Sequence, residues 1–152
     1  MQEPEGMIIP GGYILLARKL LSSGIMKKPP LHFKLWIWML QQASFKDHGN
    51  LKRGQFFASL KSMQEAMSYK VGYRVVYPTI KEIRDALDFF RHEGPHEGPM
   101  MGTTKVTHGM IVTIYNYDYY QSISNYEGHN ETQCCCSCSQ ANCSNSKQRP
   151  RR

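Results

Sequence analysis

Apolar residues recur at the spacing of a helix in several stretches of this chain and cluster as short strands in others. Residues 13–23 carry Ile14, Leu15, Ala17, Leu20 and Leu21 at helical intervals, which predicts a helix. Gly24 follows where a C-cap would sit. Pro29 and Pro30 then break the chain. Residues 31–43 (LHFKLWIWMLQQA) are apolar around most of a helical circumference, the mark of a buried central helix. Trp36 and Trp38 stand two apart on it and point about 200° away from each other, so they cannot share a neighbour. Residues 51–58 hold few helix signals and include Phe56 and Phe57 near their end, which predicts a short strand.

Two helix starts follow. Ser62-Met63-Gln64-Glu65 and Thr79-Ile80-Lys81-Glu82 both fit a capping box, the second with Pro78 just before it. The first predicted helix has Met63, Ala66 and Met67 on one face. The second runs to about His92, where Gly94-Pro95 ends it, and its stripe is Ile80, Ile83, Ala86, Leu87 and Phe90. Residues 69–77 (YKVGYRVVY) read as a connection longer than the roughly three or four residues of a tight helix-turn-helix. Residues 102–106 and 110–115 read as two strands joined through Thr107-His108-Gly109. The expected architecture is mostly α with a small β hairpin: a winged helix-turn-helix over residues 8–121. In that arrangement the second helix of the pair enters the major groove of DNA. After Gln121 the chain turns to Ser, Asn, Gln and Cys, with Ile123 and Tyr126 its only large apolar residues. Residues 122–152 are therefore expected to form a disordered tail.

Charge sharpens this picture. The 152 residues include 19 Lys and Arg against 12 Asp and Glu, for a net charge of +7. Four of those bases and two of the acids lie beyond residue 121, so residues 1–121 keep 15 basic and 10 acidic side chains, a net of +5. The domain is basic in its own right, which favours an anionic partner, double-stranded DNA first. The longest apolar run, Leu35 to Leu40, falls far short of the ~20 residues of a membrane span, so no membrane partner is expected. The start, MQEPEG, lacks the basic residues and apolar run of a secretory signal, which makes a cytoplasmic location the expectation.

Enzyme chemistry finds no foothold. His32, His48, His92, His96, His108 and His129 show no ligand spacing, and no GxSxG, Walker A or GxGxxG pattern occurs. Neither catalysis nor a cofactor is expected. Cys134, Cys135, Cys136, Cys138 and Cys143 could ligate a soft metal as thiolates. Structural zinc sites, however, use spaced cysteine pairs on a folded scaffold, and adjacent cysteines in a Ser/Asn segment have none. No metal is expected there, and a cytoplasmic setting argues against disulfides.

Three pieces of the sequence together carry a resemblance. They are Phe33-Lys34-Leu35-Trp36 with its following apolar helix, Lys52-Arg53-Gly54-Gln55, and the closing Asn116-Tyr117-Asp118-x-Tyr120-Gln121. In this order, over roughly residues 12–121, the chain resembles the N-terminal winged-helix domain of prophage replisome-organiser proteins, which is DnaD-like. The resemblance implies a DNA-binding module of phage or prophage origin that helps assemble a replication complex, with a helicase or helicase loader among its partners. The segment between Gly94 and Gly102 is longer than the joint that family would use, and where family members usually continue into a longer C-terminal segment this sequence turns Cys-rich.

The candidate DNA contacts fall in three places. On the second capped helix, Thr79, Lys81 and Arg84 would face DNA, with Arg84 able to reach guanine edges. The alternative is a solvated face held by Lys81–Asp85 and Arg84–Asp88 pairs, and both carboxylates would repel phosphate. In residues 69–77, Lys70 and Arg74 interleave with tyrosines as a phosphate-contacting turn would. On the wing, Lys105 and His108 suit backbone contacts. The function this predicts is DNA binding in phage-type replication initiation. A winged-helix transcriptional regulator, or a protein-interaction module of the replication machinery that does not bind DNA, would use the same elements.

Overall fold

The structure, a computed structural model, describes residues 9–92 and 98–127. Its central helix α1 spans Pro30–Gln42. Proline is tolerated at the first helical position, where its missing N–H would be unbonded anyway. Leu35, Trp36, Met39 and Leu40 are buried, and α1 packs on a second long helix, α3 (Ile80–His92). The α3 residues Ile83, Ala86, Leu87, Phe89 and Phe90 are buried, so the stripe read from the sequence is the core face except for Ile80, which is only partly covered, with Phe89 added to it. Trp36 lies on Phe90, ring centroids 5.4 Å apart. Trp38 points elsewhere and meets Phe56 edge-on at 5.8 Å. The two tryptophans thus serve different neighbours, as their spacing requires.

A three-stranded antiparallel sheet backs the helices. Its order is β1 (Gln55–Ala58), β5 (Gly109–Ile114) and β4 (Met101–Val106), with β5 in the middle. Phe56, Ala58, Val112 and Ile114 turn inward. Helix α2 (Leu60–Ala66) starts directly after β1. Between α2 and α3 stands a separate two-stranded hairpin, β2 (Tyr69–Val71) and β3 (Arg74–Val76). A short helix α4 (Tyr117–Tyr120) and a 3-10 turn, Ile123–Asn125, close the described chain.

The expected class, mostly α with one small hairpin and a helix-turn-helix, is corrected on this evidence to α+β. Two strand pairings were not legible as such. Residues 55–58 add a third strand to the terminal hairpin, a long-range pairing that no local pattern encodes. Residues 69–77 form a hairpin and not a turn: Tyr69, Val71, Val75 and Val76 favour extended backbone. Gly72 supplies a φ of +62° at the first position of the two-residue loop, as primed hairpin turns require. The corrected frame remains compatible with a winged helix.

Three local readings also change. Residues 13–23 are not one helix. Residues 12–17 run irregularly, and two 3-10 helices, Arg18–Ser22 and Gly24–Lys27, follow. Long-range bonds hold the extended part: the Leu15 N–H donates to Gln121 Oε1 (3.0 Å) and the Gln121 amide donates back to the Leu15 carbonyl (3.1 Å). The first capping box lies one turn earlier than read, with Ser59 as N-cap and Ser62 as its reciprocal partner. The described fold also continues past Gln121, where the Tyr126 hydroxyl donates to the Tyr120 carbonyl (2.8 Å). The rest of the predicted tail, the predicted helix stop at Gly94-Pro95 and His96 lie outside the described residues.

Two outcomes follow from this core. Trp36→Ala removes a buried ring that packs on Phe90 between α1 and α3 and should cost ~3–5 kcal/mol. Trp38→Ala, at a half-buried position, should cost clearly less; denaturant unfolding of both variants checks the order. The second outcome concerns His32, buried on α1 with its ring edge-on to Phe89 at 5.5 Å. Burial, and then the Lys28 ammonium, hold its pKa below the ordinary 6.5, against a smaller opposite pull from Asp85. The unfolded chain therefore takes up this proton first as pH falls. The contribution is complete above about pH 6.5 and is lost as the pH drops through the lower folded value. The melting temperature should fall on acidification below about pH 6, and His32→Phe should flatten that limb. An unchanged acid limb in His32→Phe would assign it to other groups.

Candidate nucleic-acid interface

The start of α3 is fixed from two sides. Thr79 and Glu82 form the capping box read from the sequence. The Thr79 N–H and hydroxyl donate to Glu82 Oε2 (2.7 and 2.9 Å), and the Glu82 N–H donates to Thr79 Oγ1 (3.2 Å). These bonds hold the Glu82 carboxyl below its usual range. The Gln64 amide of α2 donates to the Pro78 carbonyl (2.7 Å), tying the preceding residue to the neighbouring helix. The Thr79 hydroxyl is thus given to the cap, and its role is to position the helix.

The outer face of α3 carries Lys81, Arg84, Asp85 and Asp88, all exposed. The Lys81–Asp85 and Arg84–Asp88 pairs of the alternative reading are absent among the described residues. Asp88 is instead bonded by Arg91, whose Nη1 donates to its Oδ1 at 3.0 Å. Arg91 Nη2 donates at the same time to Thr103 Oγ1 on β4 (2.7 Å). One guanidinium therefore removes the carboxylate from Arg84 and ties the end of α3 to the terminal hairpin. Lys81 and Arg84 have no ion-pair partner among the described residues. Sequence reasoning missed Arg91, although its three-residue spacing from Asp88 was visible.

The β4–β5 hairpin turns through Thr107 and His108. Gly109, read as the end of the loop, is already paired with Val106. A Cβ there would lie 2.7 Å from the Ala58 carbonyl, so glycine is needed for strand β1 to approach. Lys105, Thr107 and His108 are exposed at this tip. Lys70 and Arg74 stand on the other hairpin. The register pairs Lys70 with Val75 and Val71 with Arg74, so the two cations project to opposite faces.

The residues that carry the family resemblance do different work. Lys52-Arg53-Gly54-Gln55 and Asn116-Tyr117-Asp118-x-Tyr120-Gln121 meet in space. Arg53 forms an ion pair with Asp118 and lies over the Phe45 ring, 4.5 Å from its centroid. Gly54, at φ +80°, receives Tyr117, whose Cβ is 2.8 Å from where a Gly54 Cβ would be. Gln55 donates to Thr113 Oγ1 (3.0 Å), and Gln121 holds Leu15. These motifs lock the fold and leave the α3 face free.

An open cavity of about 1020 Å³ lies between the N-terminal segment and the α4 end, lined by Leu16, Leu20, Trp36, Tyr119 and Tyr120 among others. Among the described residues, Glu127 is its one acidic lining residue, and no histidine, cysteine or aspartate lines it. Among the described residues no group of three or more His, Cys, Asp or Glu is placed to hold a metal. The five cysteines lie outside the described residues. No helix among the described residues is long and apolar enough to cross a membrane. No family model, curated protein or solved structure matches the chain.

Proposed function

We propose that this chain binds double-stranded DNA through the outer face of α3 and the tip of the β4–β5 hairpin, and acts in replication initiation of the phage or prophage type. The observation that carries the DNA reading is the pair of exposed cations, Lys81 and Arg84, which have no ion-pair partner among the described residues, on a helix whose Asp88 is bonded by Arg91. A free guanidinium in the early turns of a groove-bound helix can form a bidentate contact with guanine. The excess of bases over acids in residues 1–121 supplies the long-range attraction. Lys105 and His108 suit contacts to phosphate, which fix position without reading sequence. Glu82 and Asp85 face the same solvent and limit how closely the helix can lie against phosphate. The replication role rests on the resemblance to prophage replisome organisers, and the helicase or loader partner comes from it as well.

Arg84 and Lys105 should fail in different ways. Arg84→Ala should cost ~1–3 kcal/mol on a selected duplex and less on random DNA. Lys105→Ala should weaken both duplexes about equally and lower the salt slope by about one unit. Titrations of wild type and both variants across a salt series check this. Equal losses on both duplexes for Arg84→Ala would make it a phosphate contact. No loss for either variant would overturn the duplex reading and favour a protein-interaction module.

A further inference from the structure

The β2–β3 hairpin is exposed at five of its six strand residues, and neither the core nor the duplex contacts account for its side chains. Tyr69 (53 %), Val71 (57 %), Val75 (47 %) and Tyr77 (55 %) are open to solvent, and Tyr73 at the loop is fully exposed. A two-stranded hairpin is marginally stable alone in water, and here both faces lack cover. The register gives each face the same kit. Tyr69, Val71 and Arg74 share one side, and Lys70 and Val75 the other, with Tyr77 just beyond. Residues 68–78 contain two cations and no acid.

We propose that this hairpin is a stacking arm for single-stranded DNA, with Tyr69 and Tyr73 as base platforms and Arg74, on the same face as Tyr69, on the phosphates, while Lys70 on the opposite face adds to the positive potential of the arm. Aromatic rings interleaved with cations are the chemistry that unpaired nucleic acid calls for. Every base offers a π face to a ring, and the backbone offers one charge per nucleotide to a cation. Tyr69 on β2 and Arg74 on β3 are diagonal neighbours on one face of the hairpin, so a ring and a cation can meet the same strand. Charge argues against a second copy of this chain as the occupant. In a two-fold contact the same patch meets itself, and this patch has two positive charges with no acid to offset them. The site does not rest on the duplex reading, since it uses other residues.

The test is anisotropy of a labelled oligothymidylate of about 12 nucleotides, with the selected duplex measured in parallel. Wild type should bind the single strand. Tyr73→Ala and Tyr73→Leu should both weaken it by roughly fivefold or more, while Tyr73→Phe keeps wild-type affinity, because the ring and not the apolar bulk is used. Because Tyr73 touches no core residue, the melting temperatures should match wild type. Arg84→Ala should leave single-strand binding unchanged and weaken the duplex, which separates failure of this site from failure of the duplex site. Absence of wild-type binding to the oligonucleotide overturns the proposal. So does unchanged affinity in Tyr73→Ala combined with Tyr69→Ala. A shift from dimer to monomer in those variants, with single-strand affinity unaltered, would assign the hairpin to self-association instead.

Discussion

Strand β5 has hydrogen-bonding groups on both edges, and its two neighbours come from very different distances along the chain. β4 reaches it through a two-residue loop, whereas β1 lies about fifty residues earlier. Closing that span costs entropy that grows only slowly with its length. Burial of Phe56 and Ala58 beside Val112 and Ile114 offsets it. The register from Gln55↔Thr113 to Ala58↔Met110 sets which side of each strand faces the helices, since a one-residue slip would turn Phe56 outward. At one end Gly109 has no Cβ to collide with the Ala58 carbonyl. At the other, Gly54 admits Tyr117 and accepts the Ile114 N–H (2.9 Å). The chain between β1 and β5 is then one closed span that includes α2, the β2–β3 hairpin, α3 and β4.

That closure explains why α3 can present a free surface. Its inner stripe is committed to Trp36 and the rest of α1, its start is capped by Thr79 and Glu82, and its end is held to β4 by Arg91. A helix fixed at three points has little need of further ion pairs on its outer face, and Lys81 and Arg84 are left to solvent. Surface pairs of that kind would in any case add only ~0.2–0.5 kcal/mol. The same economy holds at the C-terminal end of α2, where Lys34 donates to the carbonyls of Met67 and Ser68 (3.1 and 2.9 Å). There a basic side chain serves the helix terminus and is not available to a ligand.

The division of labour between motifs reverses a natural intuition. Arg53, Asp118 and Gln121 look like functional residues because they are charged or polar and sit outside any helical stripe. In the fold they are wiring: an ion pair, a cation over aromatic rings and a side-chain clamp on a backbone segment. Tyr69, Tyr73 and Tyr77 have rings large enough to fill a core and are instead exposed. For a side chain with both an apolar body and a polar end, sequence gives the chemistry, and only the surroundings say whether it faces the interior or the solvent.

By itself the sequence determined the elements whose signals are local. The apolar circumference of α1, the stripe and capping box of α3, and the β4–β5 strands with their tight loop depend on neighbours within a turn or two, and they stand where the pattern put them. The candidate cations on α3 and at the hairpin tip were legible for the same reason. Tertiary structure alone decided the third strand, because its partner is fifty residues away, and the fate of residues 13–23. There a helical spacing lost to long-range bonds from Gln121, since helical propensity is weak against tertiary context. It also decided the ion pairs. Asp88 can reach either Arg84 or Arg91 along the helix, and the hydrogen bond from Arg91 to Thr103 on a strand distant in sequence settles which of them it holds.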